Sequence, residues 1–235
     1  SNTYQVFDYQ SGASSFTGGS GIRFGWLWKR HAGLDVVAYK GDDRSGGRPI
    51  RHNLSVTPEM MWIKVRNNAS QPWMVYHKDV GHGKDLKLNT NAAESNNIYY
   101  LNNTAPTSTH FTVGQADYVN GNYNYIAILF ASVNGISKVG SYTGTGSSLT
   151  ITTGFQPRFV IIKKASGSGA NRNWYLLDTT RGWGSGDDKV LLLSDDDAEA
   201  DNDMGAPTST GFTLTGETHS GWNASSREYI YYAHA

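Results

Sequence analysis

Pro157-Arg158-Phe159-Val160-Ile161-Ile162-Lys163 is the stretch that decides how this chain reads. Four consecutive apolar residues, two of them Ile and one Val, form a run too short for a helix and without the alternation of a half-exposed strand. Such a run fits a central strand covered on both faces. The proline stands at the strand entrance, where a missing N–H does little harm. The same scheme occurs earlier as Pro58-Glu59-Met60-Met61-Trp62-Ile63-Lys64, at an offset of 99 residues (157 − 58).

Further blocks on either side pair in the same order. Trp73-Met74-Val75-Tyr76 pairs with Trp174-Tyr175-Leu176-Leu177. Leu86-Lys87-Leu88, then Ala93-Glu94, pairs with Leu191-Leu192-Leu193, then Ala198-Glu199. Ala105-Pro106-Thr107-Ser108-Thr109 returns unchanged as Ala206-Pro207-Thr208-Ser209-Thr210. Val37, Tyr39 and Gly41 match Val139, Tyr142 and Gly144, and Tyr125-Ile126 matches Tyr229-Ile230. The offset drifts only inside Gly/Asn/Asp-rich stretches, where loops accept insertions cheaply. The reading is an internal duplication, with unit 1 over 34–135 and unit 2 over 136–235.

In the second unit six strands are expected: Lys138–Tyr142, Phe159–Lys164, Asn173–Asp178, Lys189–Leu193, Gly211–Thr215 and Glu228–Tyr232. Turn-rich segments separate them, the pattern of antiparallel sandwiches. The expected fold is therefore all-β, two tandem antiparallel β-sandwich, jelly-roll-like units, separate or fused into one body. No long segment has helical apolar spacing. Residues 1–33 form an N-terminal strand segment in this reading, since Trp26-Leu27-Trp28, then Gly33, mirrors Ile128-Leu129-Phe130, then Gly135. That segment is either the end of a preceding repeat in a longer array or a strand that completes the first unit's sheet.

Composition narrows the function classes. Lys+Arg and Asp+Glu both total 20, so the formal charge is zero and bulk attraction to nucleic acid or anionic membrane is not expected. No apolar stretch approaches the ~20 residues of a membrane helix. The absence of cysteine excludes thiolate zinc sites. No cofactor is expected: Gly144-Thr145-Gly146 follows a strand without the lysine and helix of a phosphate-cradling loop.

The blocks also resemble a repeat domain of uncharacterised function found in tail-fibre and other structural proteins of marine bacteriophages, cyanophages among them. The resemblance is carried by Lys138-Val139-Gly140-Ser141-Tyr142-Thr143-Gly144, by Gly154-Phe155-Gln156-Pro157-Arg158-Phe159-Val160-Ile161-Ile162-Lys163, by Trp174 through Gly182, and by Asn223-Ala224-Ser225 leading into Tyr229-Ile230-Tyr231. It departs at His77-Lys78-Asp79-Val80-Gly81, where Asp-Thr-x-Arg-Gly is not kept. It implies a virion component of tail or fibre, partnered by other virion subunits. By analogy it implies a homo-oligomer, a trimer.

Four constellations carry candidate chemistry. Asp178-Thr179-Thr180-Arg181-Gly182-Trp183 reads as a turn held by an Asp178–Arg181 pair, or as a ligand site with Arg181 as fork donor and Trp183 as stacking surface. Asp195 through Asp203 is acidic enough to suggest calcium, but it lacks the central glycine of a calcium loop and its counterpart at 89–97 is almost uncharged. No metal is expected there, and the shared Glu94 and Glu199 are assigned a structural task, accepting backbone N–H groups. His77 and His82 lie in one loop near Asp79 and Asp85, without a third metal ligand and without histidines in the second unit.

The fourth constellation is aromatic. Trp73 and Trp174 recur and read as core. Tyr99, Tyr100, Tyr118, Tyr123, Trp183 and Trp222 lack strict counterparts, and glycines beside the last two suggest exposed rings. These residues, with Arg181, are the expected ligand-binding set, for a host-surface glycan or a subunit interface. No catalytic residue is assigned. The expected function is a non-enzymatic virion protein, tail fibre or tail-associated, acting in glycan recognition or particle assembly and located in the virion. The alternatives are a polysaccharide-degrading enzyme on a lectin-like sandwich, which needs a facing pair of carboxylates, and a capsid decoration or adaptor protein without ligand.

Overall fold

The computed structural model describes residues 26–30, 33–166, 172–216 and 221–235. Residues 34–135 contribute β1 (Leu34–Lys40), β2 (Arg48–Arg51), β3 (Met60–Val65), β4 (Met74–His77), β5 (Lys84–Lys87), β6 (Ser95–Asn96), the one-turn helix α1 (Ile98–Leu101), β7 (His110–Val113), the one-turn helix α2 (Asp117–Asn120) and β8 (Asn124–Phe130). Residues 136–235 contribute β9 (Ser137–Thr143), β10 (Leu149–Thr152), β11 (Phe159–Lys164), β12 (Trp174–Asp178), a 3₁₀ turn at Thr179–Arg181, β13 (Asp188–Leu192), β14 (Ala200–Asn202), β15 (Pro207–Thr208), β16 (Gly211–Leu214) and β17 (Glu228–His234). The protein is all-β, and every ladder among the described residues is antiparallel.

Two six-stranded sheets dominate. Their orders are β1-β8-β3-β4-β5-β6 and β9-β17-β11-β12-β13-β14, the same sequence of positions in each half. The apolar run of β11 sits between β12 and β17, and the strand is buried at every residue. All six strands expected in the second half form, Phe159–Lys164 with the expected ends and the others with an end shifted by one or two residues. Cross-strand tyrosines mark the same point of both sheets. Tyr39 stacks on Tyr125 at 4.9 Å, and Tyr142 on Tyr229 at 5.0 Å.

Alternation along each strand divides the side chains between two faces. Met61, Ile63 and Val65 point outward to a cluster completed by Ile50 of β2 and Phe111 and Val113 of β7, which pair as a small sheet of their own. Val160 and Ile162 point outward likewise, under Ile151 of β10 and Phe212 of β16. The opposite faces meet each other. Met60, Trp62, Val75 and Phe130 of the first sheet pack with Phe159, Ile161, Trp174, Leu176 and Tyr232 of the second. The result is four layers, small sheet, large sheet, large sheet, small sheet, in which the two halves share a central core.

That core has directional ties as well. Trp174 Nε1 donates to the Lys87 carbonyl at 2.9 Å, and Glu94 N–H to the Ala165 carbonyl at 2.9 Å. Lys163 is fully buried, its ammonium near the Trp174 ring and donating to the Arg172 carbonyl, and burial pulls its pKa down to about 7. Its counterpart Lys64 donates to the carbonyls of Asn68 and Gln71. A buried lysine survives in such a place because backbone oxygens replace water around the ammonium.

The N-terminal segment differs from the expected strand. Residues 1–25 and 31–32 lie outside the described residues, and Trp26–Lys29 belong to no sheet. Instead the Trp28 ring meets Phe130 of β8 and Phe159 of β11 edge-on, at 6.4 and 5.5 Å, and Trp26 meets Phe159 at 5.9 Å. The segment covers one end of the central core rather than extending a sheet. Indole rings gain more by covering apolar surface there than an isolated edge strand would gain by pairing.

Candidate functional site

Arg181 and Asp178 form the expected turn pair, but inside the protein. Asp178 caps the 3₁₀ turn by accepting from Arg181 N–H at 3.0 Å, and its other oxygen accepts from Arg181 Nε. The guanidinium also donates to the Leu176 carbonyl and to Glu199, and lies over the Trp26 ring. Its side chain is 1 % exposed, so the guanidinium faces the interior and not an external ligand. Glu199 therefore holds a guanidinium, and Glu94 likewise holds the Lys84 ammonium, rather than the backbone N–H groups expected from sequence.

Trp183 corrects the expectation of an exposed ring. It is 3 % exposed, donates Nε1 to the Gly205 carbonyl at 2.9 Å and meets Phe212 edge-on at 6.0 Å. The glycines beside it let the chain turn the indole inward instead of displaying it. Trp222 is half-buried against the same outer core, edge-on to Tyr175 at 5.8 Å. Tyr100 is wholly buried in the first unit's outer core, and burial holds its phenol far from ionising. Tyr118 and Tyr123 are half-buried.

Of the seven expected ligand residues, only Tyr99 presents a ring freely, at 53 % exposure beside Ile98 at 54 %. Both stand on α1. Asn97 caps that helix by accepting from Tyr99 N–H, and its amide donates to buried Asp85 and to Tyr118 Oη. Tyr99 and Tyr118 are thus neighbours, also tied by Ala116 N–H to the Tyr99 carbonyl. Arg181, Trp183 and Trp222 belong to the other unit, so the seven residues do not form one site.

The remaining titratable residues are spread out. His77 is buried on the inner face of β4, where its Nδ1 accepts from Asp79 N–H at 3.2 Å. Burial pushes its pKa down to about 4, against the opposing pull of Asp79. Among the described residues no three His, Asp or Glu side chains gather closely enough to hold a metal ion. In the acidic loop Asp201 pairs with Lys189 at 2.6 Å and Asp203 accepts from Gly205 N–H. Among the described residues no helix is long and apolar enough to cross a membrane.

The concavities among the described residues include two at the margins of the central core. One, of about 180 Å³, is lined by Asp79, Lys84, Glu94, Ser141 and Glu228 among others. The other, of about 220 Å³, lies between Trp26–Trp28 and the ends of β11, β12 and β17, with Arg158, Thr180 and His234 on its wall. Sequence reasoning missed the second, because Trp26 and Arg158 are brought together only by the N-terminal segment crossing to the second unit. The signal present was the pair of tryptophans itself, read as strand residues.

No curated protein and no solved structure matches the chain. A family model matches residues 9–235, nearly its whole length, and the protein belongs to that family, the domain of unknown function DUF7483.

Proposed function

We propose that this protein is a structural module of a bacteriophage particle, tail fibre or tail-associated, in which a duplicated β scaffold carries loops that contact a host-surface glycan or a neighbouring subunit. The motifs of the second unit that resemble phage virion repeats supply the particle. The equal strand order of the two sheets, with stacked tyrosines at the same point of each, supports descent from one duplicated unit. In this reading the chain is not an enzyme, works in the virion, and assembles as a homo-oligomer, with a trimer proposed by analogy.

The observation that carries the recognition half is α1. Between matched residues, Asn97 to Ala105 in the first unit and Asn202 to Ala206 in the second, the first unit holds the extra residues that form this helix. On it Ile98 and Tyr99 stand exposed on a base that is otherwise fully packed. A planar ring with few rotamers, presented from a fixed support, binds with little ordering cost. Multivalent display strengthens a weak single site if the geometry permits.

The test is a screen of the purified protein on an array of bacterial surface glycans, beside its mass in solution. Specific binding that Tyr99→Ala removes without lowering the melting temperature supports recognition through α1. Absence of glycan binding together with a mass several times that of one chain moves the reading to particle assembly without ligand.

A further inference from the structure

We propose that the pocket between Trp26–Trp28 and the ends of β11, β12 and β17 binds a sugar ring bearing a carboxylate, a uronic acid unit, with Arg158 taking the carboxylate. The proposal rests on the glycan-recognition reading, and it names a second site and a ligand class for it. At about 220 Å³ the pocket is smaller than the roughly 300–1,000 Å³ of drug-sized sites and suits a single ring. Trp26, Trp28 and Phe159 give it an apolar aromatic side, the surface that the C–H face of a pyranose covers well.

The polar side determines the charge of the ligand. Asp178 lines the pocket, but its carboxylate is already occupied by Arg181 and by Trp26 Nε1 at 3.3 Å, so it does not call for a cation. Arg158 is exposed at the strand entrance, and among the described residues its guanidinium has neither a carboxylate partner nor a hydrogen-bond acceptor. The Thr180 hydroxyl is free in the same sense. The matched position of the first unit shows the occupied alternative. There Glu59 accepts from Ser132 N–H at 2.6 Å and pairs with Lys78 at 3.4 Å. A free planar fork beside indole rings fits a carboxylate held edge-on and a ring held flat.

The experiment titrates the full chain with D-glucuronate, D-glucose and acetate, following tryptophan fluorescence and heat. Glucuronate is expected to bind saturably, glucose and acetate at least about tenfold more weakly. Arg158→Gln is expected to weaken glucuronate by about tenfold or more with an unchanged melting temperature, and Arg158→Lys to restore part of it, since lysine keeps the charge and loses the fork. Failure of glucuronate to saturate, equal binding of glucose or acetate, or an unaffected Arg158→Gln overturns the proposal. Array glycans that bind through Tyr99 while glucuronate fails leave recognition standing without this pocket. Silence of both array and glucuronate removes the two together.

Discussion

Each half buries a carboxylate near the start of the fifth strand of its large sheet, at positions two residues apart in register (Asp85 matches Val190), and satisfies it in a different way. Asp85 of β5 accepts from side chains, Ser95 Oγ at 2.6 Å and the Asn97 amide. Asp188 of β13 accepts from backbone, Gly184 N–H at 2.9 Å and Met204 N–H at 3.0 Å. A buried acceptor must be satisfied, but the scaffold leaves open by what. In the first half the donor is the cap of α1, so the same anchor displays Ile98 and Tyr99 outward and packs Tyr100 and Leu101 inward. Among the described residues of the second half no such helix forms, and Trp183, reaching in from a longer loop, lies beside Gly205 and against Phe212. Each half has a buried carboxylate anchor of its own, and the surface presented through it belongs to the first.

The largest test of this difference is Trp183→Ala. If Trp183 fills the second outer core as Tyr100 and Leu101 fill the first, its loss costs about 3–5 kcal/mol. The melting temperature then falls by roughly 10 °C, at about 2–4 °C per kcal/mol for a chain of this size. A change below about 1 kcal/mol would return the ring to the surface.

A second contrast lies between His77 and Asp178, which occupy matched strand ends. His77 is neutral in the fold because burial holds its pKa near 4, below its ordinary 6.5. The unfolded chain takes up its proton first as pH falls, so stability contributed above pH 6.5 is lost between about pH 6.5 and pH 4. The loss is on the order of 3 kcal/mol. His77→Asn, whose amide oxygen can still accept from Asp79 N–H, should flatten that slope in denaturant titrations across this window. An unchanged slope would mean that other groups carry it.

The smallest expected effects should be equal in the two halves. A Cβ added at Gly41 would lie 1.9 Å from the Gly121 carbonyl oxygen, and at Gly144 2.2 Å from that of Ala224. Gly41→Ala and Gly144→Ala should each cost about 1–3 kcal/mol, by chemical denaturation, through forced backbone shifts. Costs that differ widely would show that the two loops are not held alike.

What the sequence made legible follows from period and local chemistry. Phe159–Ile162 announced a central strand because β-branched and aromatic residues without polar alternation have few other homes. The Asp178–Arg181 turn was readable because its partners lie three residues apart. Trp183 was not readable, since flanking glycines allow a ring to turn either way and the space it fills is defined by residues of β16 and the 203–206 segment. The face-to-face meeting of the sheets was equally hidden: Met60 and Phe159 look like ordinary core residues whichever layer covers them. Arg158 became distinctive only through Trp26, which is remote in sequence and adjacent in the fold.

The shared central core is the feature on which the rest depends, and Phe130 of β8 and Tyr232 of β17 test it most directly. Their rings lie 4.9 Å apart across the two sheets. A double-mutant cycle with Phe130→Leu and Tyr232→Leu should give a coupling energy of about 0.5–1.5 kcal/mol if the halves pack as described. Additive effects, with coupling near zero, would mean that the two sheets do not face each other in solution.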